Sequence, residues 1–534
     1  MTSRGDGRSY LVEPGDGEFS RREFLKKTGI GATTVASAGL LAACGSSSVA
    51  APSGSQAKPK RGGMLRLALT GGSSSDTIDA DNPVQEVDFS RVNNLYEPLV
   101  YMNSNAEPEL WLAEEVTPNA TATSWTIRVR KGITFHNGKT LGADDVIYTL
   151  QRILNPKAAF EGAPALSPVD RTGIRKLDQW TVQVPCKQPF VTFPEVLSVW
   201  YYNIVPVGYD VKKPVGTGPF RFHSFQPGER SEFLRYDDYW RHPLPYLDGF
   251  TVVDFADETS QVNALNSGAT DAVNLLSAPS IDVVKSAGGQ ILISRGGGFT
   301  PFTMRVDSAP FKDVRVRQAM RLIVDRPKML DILFGGHGVV GNDVFGIWAP
   351  EYDHALPQRV QDIAQAKSLL KQAGQEGLTI ELITADIAQA SVNAAQVFQQ
   401  QAKAAGVNVV LRQLTVDGFF TNYLKWVFAQ TFWFYNYYLP QVALATLPNA
   451  PYPETHFDDP SYNRLYAEAV STLDQTRRTE LAHEMQMIDY TQGGYIIPFF
   501  PPVIDGLGAH VHGFVPSKTG LSLNNYNFGE IWLD

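Results

Sequence analysis

The chain has 534 residues, of which 43% are hydrophobic and 11% aromatic, and its formal net charge is −9. These values are typical of a globular protein, and the length predicts two or three domains, because a single compact core rarely grows so large. The acidic balance, without long runs of like charge, argues against a nucleic-acid-binding protein, which needs a basic surface.

The N-terminal segment has the pattern of an export signal. Arg21 and Arg22 precede an uncharged run over 28–43, which ends in LAAC at Cys44. The run is too short and too rich in Gly and Thr for a membrane-spanning helix, which needs about 20 apolar residues. The arginine pair resembles a twin-arginine signal and LAAC resembles a bacterial lipobox, so we predict a signal peptide over 1–43 and lipidation of Cys44. The alternative is an ordinary buried N-terminal helix.

A polar segment, GSSSVAAPSGSQAKPK, follows Cys44 and contains almost nothing that could be buried. We predict a flexible tether over 44–61 that links a lipid anchor to the folded body. The folded body would then lie on the outer side of the cytoplasmic membrane, in the periplasm or at the cell surface. The other cysteine is Cys186, which has no partner if Cys44 carries lipid, so the fold must depend on its core and not on a disulfide.

The first third of the body is rich in predicted strands. The apolar run over 64–69 predicts a first strand, and the alternation of Trp125 with the apolar positions 127 and 129 predicts a half-buried one. Asn137-Gly138 is a tight-turn signal. From Asp144 the apolar spacing changes to that of an amphipathic helix, which the sequence Asn155-Pro156 ends.

The middle of the chain alternates between helices and strands. Asp313 is a candidate N-cap for a helix whose apolar face is Val316, Ala319, Met320 and Ile323. Two later helices end at Gly374 and Gly406, and each is followed by a predicted strand, LTIELIT after the first and VNVVLRQL after the second. Consecutive helix–glycine–strand units predict a parallel or mixed α/β layer.

Catalytic and metal-binding motifs do not form in this sequence. GITFHNGKT differs from a phosphate-binding loop by one position, and His483-Glu484 lacks a second histidine four residues on. His510 and His512 have no identifiable third ligand, so we predict no metal site and no cofactor. The missing catalytic set argues against an enzyme.

Four sequence blocks resemble one family in order along the chain. They are WTIRVRKGITFHNGKTLGADDVIYTLQRI, VGTGPFRFHSFQPGERSEFLRYDDYWRHPLPYLDGFTV, ALNSGATDAV and APFKDVRVRQAMRLIVDR. Each is similar to a motif of the family 5 extracellular solute-binding proteins, which are the peptide, nickel and oligosaccharide receptors of ABC importers. The resemblance runs from about Gly62 to the C-terminus.

The resemblance implies an α/β fold of the type II periplasmic-binding-protein class, with two hinged lobes and an extra strand-rich domain. The implied divisions are 62–93, 214–300 and 498–534 for lobe 1, 94–213 for the extra domain and 301–497 for lobe 2. The chain would cross between the lobes near Phe299–Thr303 and Tyr495–Phe500. The implied partners are a small-molecule ligand and ABC permease subunits, and the receptor is expected to act as a monomer.

The segment FWFYNYYLP over 432–440 is similar to the ligand-facing segment of the family, which has the pattern W-x-x-D-Y-x-x-P in peptide receptors. Trp433 and Pro440 keep the frame, but Asn436 stands where the family has the aspartate that pairs with a peptide ammonium. A hydrogen bond to a charged group contributes about 1.5–3 kcal/mol. Since about 1.4 kcal/mol is a factor of ten, a free peptide amine should lose roughly ten- to a hundredfold in affinity.

Arg305 marks a second departure from the family pattern, because it stands near the first crossing where asparagine is common. Losing an acid and gaining a guanidinium would make the cleft more positive and suit it to carboxylate capture. Aromatic residues alternating along a strand would place about half of their rings in the cleft. The candidate ligand-binding residues are Trp433, Tyr435, Asn436, Tyr437, Tyr438, Arg305 and Asp76.

These features predict a neutral or anionic ligand with an apolar or ring-shaped body. The alternative is that the aromatic residues belong to the core and that Arg305 pairs with Asp307. An oligopeptide receptor and a nickel-chelate receptor stay open within the same fold. From another class, an exported enzyme stays open as well.

Overall fold

The computed structural model describes residues 58–158 and 160–534. The predicted signal peptide, lipidated Cys44 and most of the tether lie outside the described residues. Those three interpretations therefore stay predictions.

The described chain forms short strands and helices of up to 18 residues. The strands are Met64–Thr70, Val100–Met102, Pro108–Leu110, Ala113–Pro118, Ser124–Val129, Arg175–Lys176, Thr181–Pro185, Phe220–Gln226, Arg230–Arg235, Gly249–Phe255, Ala272–Val273, Gln290–Arg295, Phe302–Met304, Val339–Val340, Thr379–Thr384, Asn408–Gln413, Phe428–Gln430, Tyr495–Ile496, Phe499–Phe500, Pro502–Leu507, Val511–His512 and Trp532–Leu533. The helices are Glu86–Leu95, Ala143–Ile153, Phe193–Leu197, Glu258–Asn266, Ser280–Ser286, Val314–Leu322, Arg326–Phe334, Ile363–Gln372, Ser391–Ala404, Val416–Thr421, Tyr438–Ala445, Pro460–Ala469 and Gln475–Gln492, with a 3-10 turn at Pro164–Leu166 and a left-handed turn within Ser522–Tyr526.

The largest sheet has seven strands that come from distant parts of the chain. Their spatial order is Gln290–Arg295, Pro502–Leu507, Ala272–Val273, Met64–Thr70, Gly249–Phe255, Arg230–Arg235 and Phe220–Gln226. The first strand of the chain pairs in parallel on both sides, whereas the outer pairs are antiparallel. Leu65, Leu67 and Leu69 are fully buried in this sheet, which is why the apolar run at the start of the body becomes a central strand.

The second sheet has five strands and contains the two predicted helix–glycine–strand units. Its spatial order is Asn408–Gln413, Thr379–Thr384, Phe428–Gln430, Phe302–Met304 and Tyr495–Ile496. The first three strands run parallel, and the last two pairs are antiparallel. Gly374 and Gly406 both adopt positive φ directly after a helix, as a left-handed helix end requires. The predicted mixed α/β layer is confirmed.

The chain passes between these two sheets twice, over 296–301 and over 497–501. In the first passage a side chain at Gly297 would lie 2.4 Å from the Tyr435 ring, so only glycine fits there. In the second passage the backbone N–H of Ile497 donates to the buried carboxylate of Asp343 at 2.9 Å. The passages overlap the ranges 299–303 and 495–500 that the resemblance implies for the lobe crossings, and the division into lobes stays a prediction.

A smaller antiparallel sheet of four strands occupies the range predicted for the extra domain. Its order is Ala113–Pro118, Ser124–Val129, Thr181–Pro185 and Arg175–Lys176. Trp125 and Ile127 are buried while Arg128 is exposed, which confirms the alternation predicted for this strand. The helix Ala143–Ile153 packs against this sheet, and it is the amphipathic helix predicted from Asp144.

One local prediction is wrong. The aromatic segment over 431–437 is not a strand, because it forms only a single bridge, between Trp433 and Phe299, before the helix Tyr438–Ala445 begins. The alternation of ring directions that a strand would impose therefore does not apply. No helix within 58–158 or 160–534 is long and apolar enough to cross a membrane.

Candidate ligand-binding site

A cavity of about 340 Å³ lies between two parts of the chain that are distant in sequence. One wall comes from residues 161–202 and the other from residues 420–452, with Val84 contributing from the loop after the first strand. The size is within the range of ligand sites, which hold about 300–1,000 Å³. The cavity thus lies where the four-stranded region meets the five-stranded half.

Aromatic side chains make up about half of the cavity wall. Ten of the 21 lining residues are aromatic, and they are Trp200, Tyr201, Tyr202, Phe420, Tyr423, Phe432, Trp433, Phe434, Tyr437 and Tyr452. Such a wall can enclose an apolar or ring-shaped body, because ring faces and edges pack closely against another ring.

Trp433 is fixed in the wall by contacts at both its backbone and its side chain. Its backbone exchanges two hydrogen bonds of 2.9 Å with Phe299 in the first passage between the sheets. Its indole Nε1 donates to Glu454 Oε2 at 3.0 Å. The orientation of the ring is therefore set from two separate segments of the chain.

Glu454 lies directly behind this part of the wall and is 4% exposed. Besides Trp433, its carboxylate accepts hydrogen bonds from the hydroxyls of Tyr495, at 2.7 Å, and Tyr423. Burial raises the pKa of Glu454, although these donors act in the opposite direction. A buried carboxyl with three donors is a well-satisfied anchor for the rings around it.

Three neighbouring rings of the wall contact one another, one pair edge to face and the other pair tilted. Tyr452 has its centroid 5.7 Å from that of Trp433 at an interplanar angle of 70°, and 6.4 Å from that of Tyr423 at 42°. We call Tyr423, Trp433 and Tyr452 the aromatic trio. Burial raises the pKa of Tyr452, and the negative charge of the exposed Glu161 raises it further. Glu161 therefore lies near the aromatic trio.

Glu195 is the second acid of the cavity lining. Burial raises its pKa to about 7, while the positive charge of Arg478 lowers it and the charge of Glu351 raises it further. Its Oε2 is enclosed and has no hydrogen-bond partner among the described residues. The same two acids raise the pKa of Tyr437, after burial.

Three of the predicted site residues line this cavity, and they are Trp433, Asn436 and Tyr437. The Asn436 amide donates to Gln441 Oε1 at 2.9 Å. The Tyr437 hydroxyl donates to the backbone oxygen of Ala106 at 2.8 Å, so this side chain presents its ring to the cavity and not a free hydroxyl.

Tyr435 and Tyr438 are fully buried and do not line the cavity. The Tyr435 ring packs against Gly297 in the first passage between the sheets. The Tyr438 hydroxyl donates to Asp489 Oδ2 at 2.6 Å within the core. For these two residues the structure agrees with the alternative that the aromatic residues belong to the core.

Arg305 does not line the cavity either, and it pairs with Asp307 through two contacts of 3.0 and 2.6 Å. Asp76 is buried beside Arg91, with an Nη1 to Oδ2 distance of 3.1 Å. Both side chains have their charge matched by a neighbour, so neither is a free charge in the cavity. The expectation of a more positive cleft therefore has to be corrected.

The charged residues in the cavity lining are Glu161 and Glu195, and no Lys, Arg or His is found among the described residues that line it. The opposite sign follows from residues that sequence reasoning missed. Glu161, Glu195, Tyr452 and Glu454 lie outside the segment that the family motif singles out. The aromatic run over 200–202 is the one signal that could have pointed to the second wall.

A second cavity of about 400 Å³ adjoins the first. The two share Ala165, Val196 and Pro440 in their linings. Polar side chains such as Gln188 and Asn463 line the second cavity. A ligand longer than the first cavity could thus extend past these three apolar residues.

The described residues hold no group of three or more His, Cys, Asp or Glu that could bind a metal ion. Burial raises the pKa of the Cys186 thiol to about 12, which makes it a poor nucleophile. What the arrangement offers is a mostly apolar volume between two walls. These properties are those of a binding protein with a ligand held between separate structural units.

Comparisons with known proteins give the same class. The sequence model of the bacterial extracellular solute-binding proteins, family 5, matches residues 107–451. The glutathione-binding protein GsiB of Pectobacterium atrosepticum is 23% identical over 444 residues, which cover 77% of this chain and 84% of that protein.

Two solved structures share the fold. The ABC transporter substrate-binding protein CtaP of Listeria monocytogenes has a TM-score of 0.78 at 20% identity, covering 89% of this chain and all of that one. AgaA from A. tumefaciens R10, solved with agropinic acid, has a TM-score of 0.74 at 22% identity, covering 88% and 99%.

The family model thus defines a substrate-binding protein of an ABC importer, and the solved structures show the fold of the type II periplasmic binding proteins. The chain belongs to family 5 of the bacterial extracellular solute-binding proteins. Members of this family are transport receptors.

Proposed function

We propose that this receptor captures a small solute with an apolar or ring-shaped body in the 340 Å³ cavity and passes it to the permease subunits of its importer. The observation that carries the proposal is the wall of ten aromatic residues. Both charged side chains in the lining are acidic, which argues against the anionic ligand that the sequence predicts as one possibility.

The proposed capture depends on two lobes that close on the solute. We assign 62–93, 214–300 and 498–534 to lobe 1, 301–497 to lobe 2 and 94–213 to the extra domain. The support is that the seven-stranded and five-stranded sheets draw all their strands from the first and second of these sets. The two short passages between the sheets would act as the hinge.

The proposed location follows from the N-terminal sequence. A twin-arginine signal would export the folded receptor, and a lipid on Cys44 would hold it beside the membrane and its permease. The tether of 44–61 would let the body reach the permease as a monomer.

An oligopeptide receptor is the second candidate, and the adjoining cavity of about 400 Å³ favours it. A chain of several residues could occupy both cavities past Ala165, Val196 and Pro440. The amide at Asn436 and its bond to Gln441 give no charged partner for a peptide ammonium at the usual place. A nickel chelate would need to bring its own ligands, as the described residues supply no metal-binding group.

The test uses the purified full-length protein, incubated with a peptone and yeast-extract mixture and then desalted. Denaturing the protein should then release a small molecule, and mass spectrometry should show that the same molecule is present, unchanged, in the mixture. Ala165→Trp should abolish retention because the indole would fill the junction of the two cavities, whereas the exposed Ala467→Trp should retain the molecule. Equal retention by both variants would refute the cavity as the site, and a chemically altered product would favour the exported-enzyme alternative.

A further inference from the structure

We propose that the aromatic trio binds a positively charged nitrogen, so that the solute is an organic cation with a ring-shaped body. This inference rests on the proposed function and adds the charge of the ligand and its place in the cavity.

The charged side chains in the cavity lining are acidic. Glu161 and Glu195 carry the ionisable carboxyls there, and none of the described lining residues is basic. A carboxylate ligand would have to lose its water without gaining a cationic partner, which is unfavourable for a charged group. A cation instead meets the negative charge of Glu161 and, where it is ionised, that of Glu195.

The arrangement of the three rings of the aromatic trio also favours a cation. The Tyr452 ring packs against both of the others, with centroid distances of 5.7 and 6.4 Å, and all three rings line the same cavity. Ring faces attract cations because their quadrupole is negative above the plane, and tryptophan is the strongest such partner. Several rings that enclose one ammonium group are the usual arrangement for that recognition.

A buried carboxylate, that of Glu454, holds two rings of the trio through hydrogen bonds. Glu454 accepts hydrogen bonds from the Trp433 indole N–H at 3.0 Å and from the Tyr423 hydroxyl. Hydrogen bonds to a carboxylate pull the donor proton away from the ring and leave more electron density on its faces. The same bonds fix the rings before the ligand arrives, which lowers the entropy lost on binding.

Of the two acids in the lining, Glu161 is the better partner for a ligand cation. Glu195 already feels the positive charge of Arg478, so a ligand cation would gain less there. Glu161 is exposed, makes no salt bridge within 4 Å among the described residues, and acts electrostatically on Tyr452 and Tyr201. The end formed by the aromatic trio and Glu161 therefore offers the larger net attraction.

The test compares three indole probes of one shape and different charge: tryptamine, tryptophol and indole-3-acetate. Calorimetric titration of the purified full-length protein at pH 7.5 should give tryptamine at least tenfold higher affinity than tryptophol, with indole-3-acetate the weakest. Glu161→Gln should lower the tryptamine affinity about five- to tenfold and leave tryptophol within twofold. Glu376→Gln, a change of the same kind at an exposed site away from the cavity, should alter neither value.

Tyr452→Leu keeps an apolar side chain but removes the central ring, and it should abolish the preference for tryptamine over tryptophol. Because tryptophol reports on the fold and on the cavity in each variant, a merely structural effect would weaken both probes alike. Equal affinities in the wild-type protein, a preference for indole-3-acetate, or no binding of any probe at 1–5 mM would overturn the proposal. The receptor function itself is judged separately, by whether Ala165→Trp loses the molecule captured from the extract.

Discussion

Two tyrosines offer a matched test of how the cavity wall is held together. Tyr495→Phe removes a hydroxyl that donates to the buried Glu454 carboxylate at 2.7 Å, and nothing else in the side chain changes. Hydrogen bonds to charged groups contribute about 1.5–3 kcal/mol. Since Tyr495 and Glu454 are each 4% exposed, water cannot easily replace the lost donor, and we expect a loss of stability in that range.

Tyr435→Phe is the control, because the Tyr435 hydroxyl is just as deeply buried but has no hydrogen-bond partner among the described residues. Removing an unsatisfied buried group should leave stability unchanged or raise it by up to about 1–3 kcal/mol. Urea unfolding followed by tryptophan fluorescence at pH 8 gives both values. If the two variants lose the same stability, the Glu454 carboxylate is not the anchor described here.

Three further predictions concern the core and the N-terminus. Burial raises the pKa of Asp489 to about 7, so the folded chain holds a proton that the unfolded chain releases above about pH 4. The free energy of unfolding should therefore fall as pH rises from 4 to 7, and Asp489→Asn should remove on the order of 4 kcal/mol of that fall in urea titrations; an unchanged pH dependence would contradict it. Asp343→Asn leaves the buried guanidiniums of Arg326 (2.7 Å) and Arg359 (2.8 Å) without their anion; it should cost about 3–5 kcal/mol, and a loss below 1 kcal/mol in the same unfolding assay would disprove the coupling. Cys44→Ser should move the receptor from the membrane fraction to the soluble fraction on immunoblots, and continued membrane association would exclude the lipid anchor.

Much of the local structure could be predicted because short-range physics decides it. The period-two alternation around Trp125 and the cap at Asp313 need only neighbouring residues to form. Gly374 and Gly406 likewise end their helices through their own backbone freedom. The family blocks then gave the class and the order of the segments.

The aromatic segment shows where such reasoning stops. Its residue types fit a strand, but Trp433 forms only one bridge and the helix begins at Tyr438. As a result Tyr437 lines the cavity whereas Tyr435 and Tyr438 lie in the core. Side-chain direction depends on backbone path, and the backbone path here is fixed by contacts with the first passage between the sheets and not by local preference.

The sequence by itself determined the family, the helices and strands with strong periodicity, and the segment from which one cavity wall comes. Only the tertiary structure decided the charge of the cavity, since Glu161 joins Trp433 across some 270 residues of chain and Arg305 is turned to Asp307 instead. The physical reason is that electrostatic interactions depend on distance in space. The sign of a site built from two distant segments is therefore set when those segments pack together.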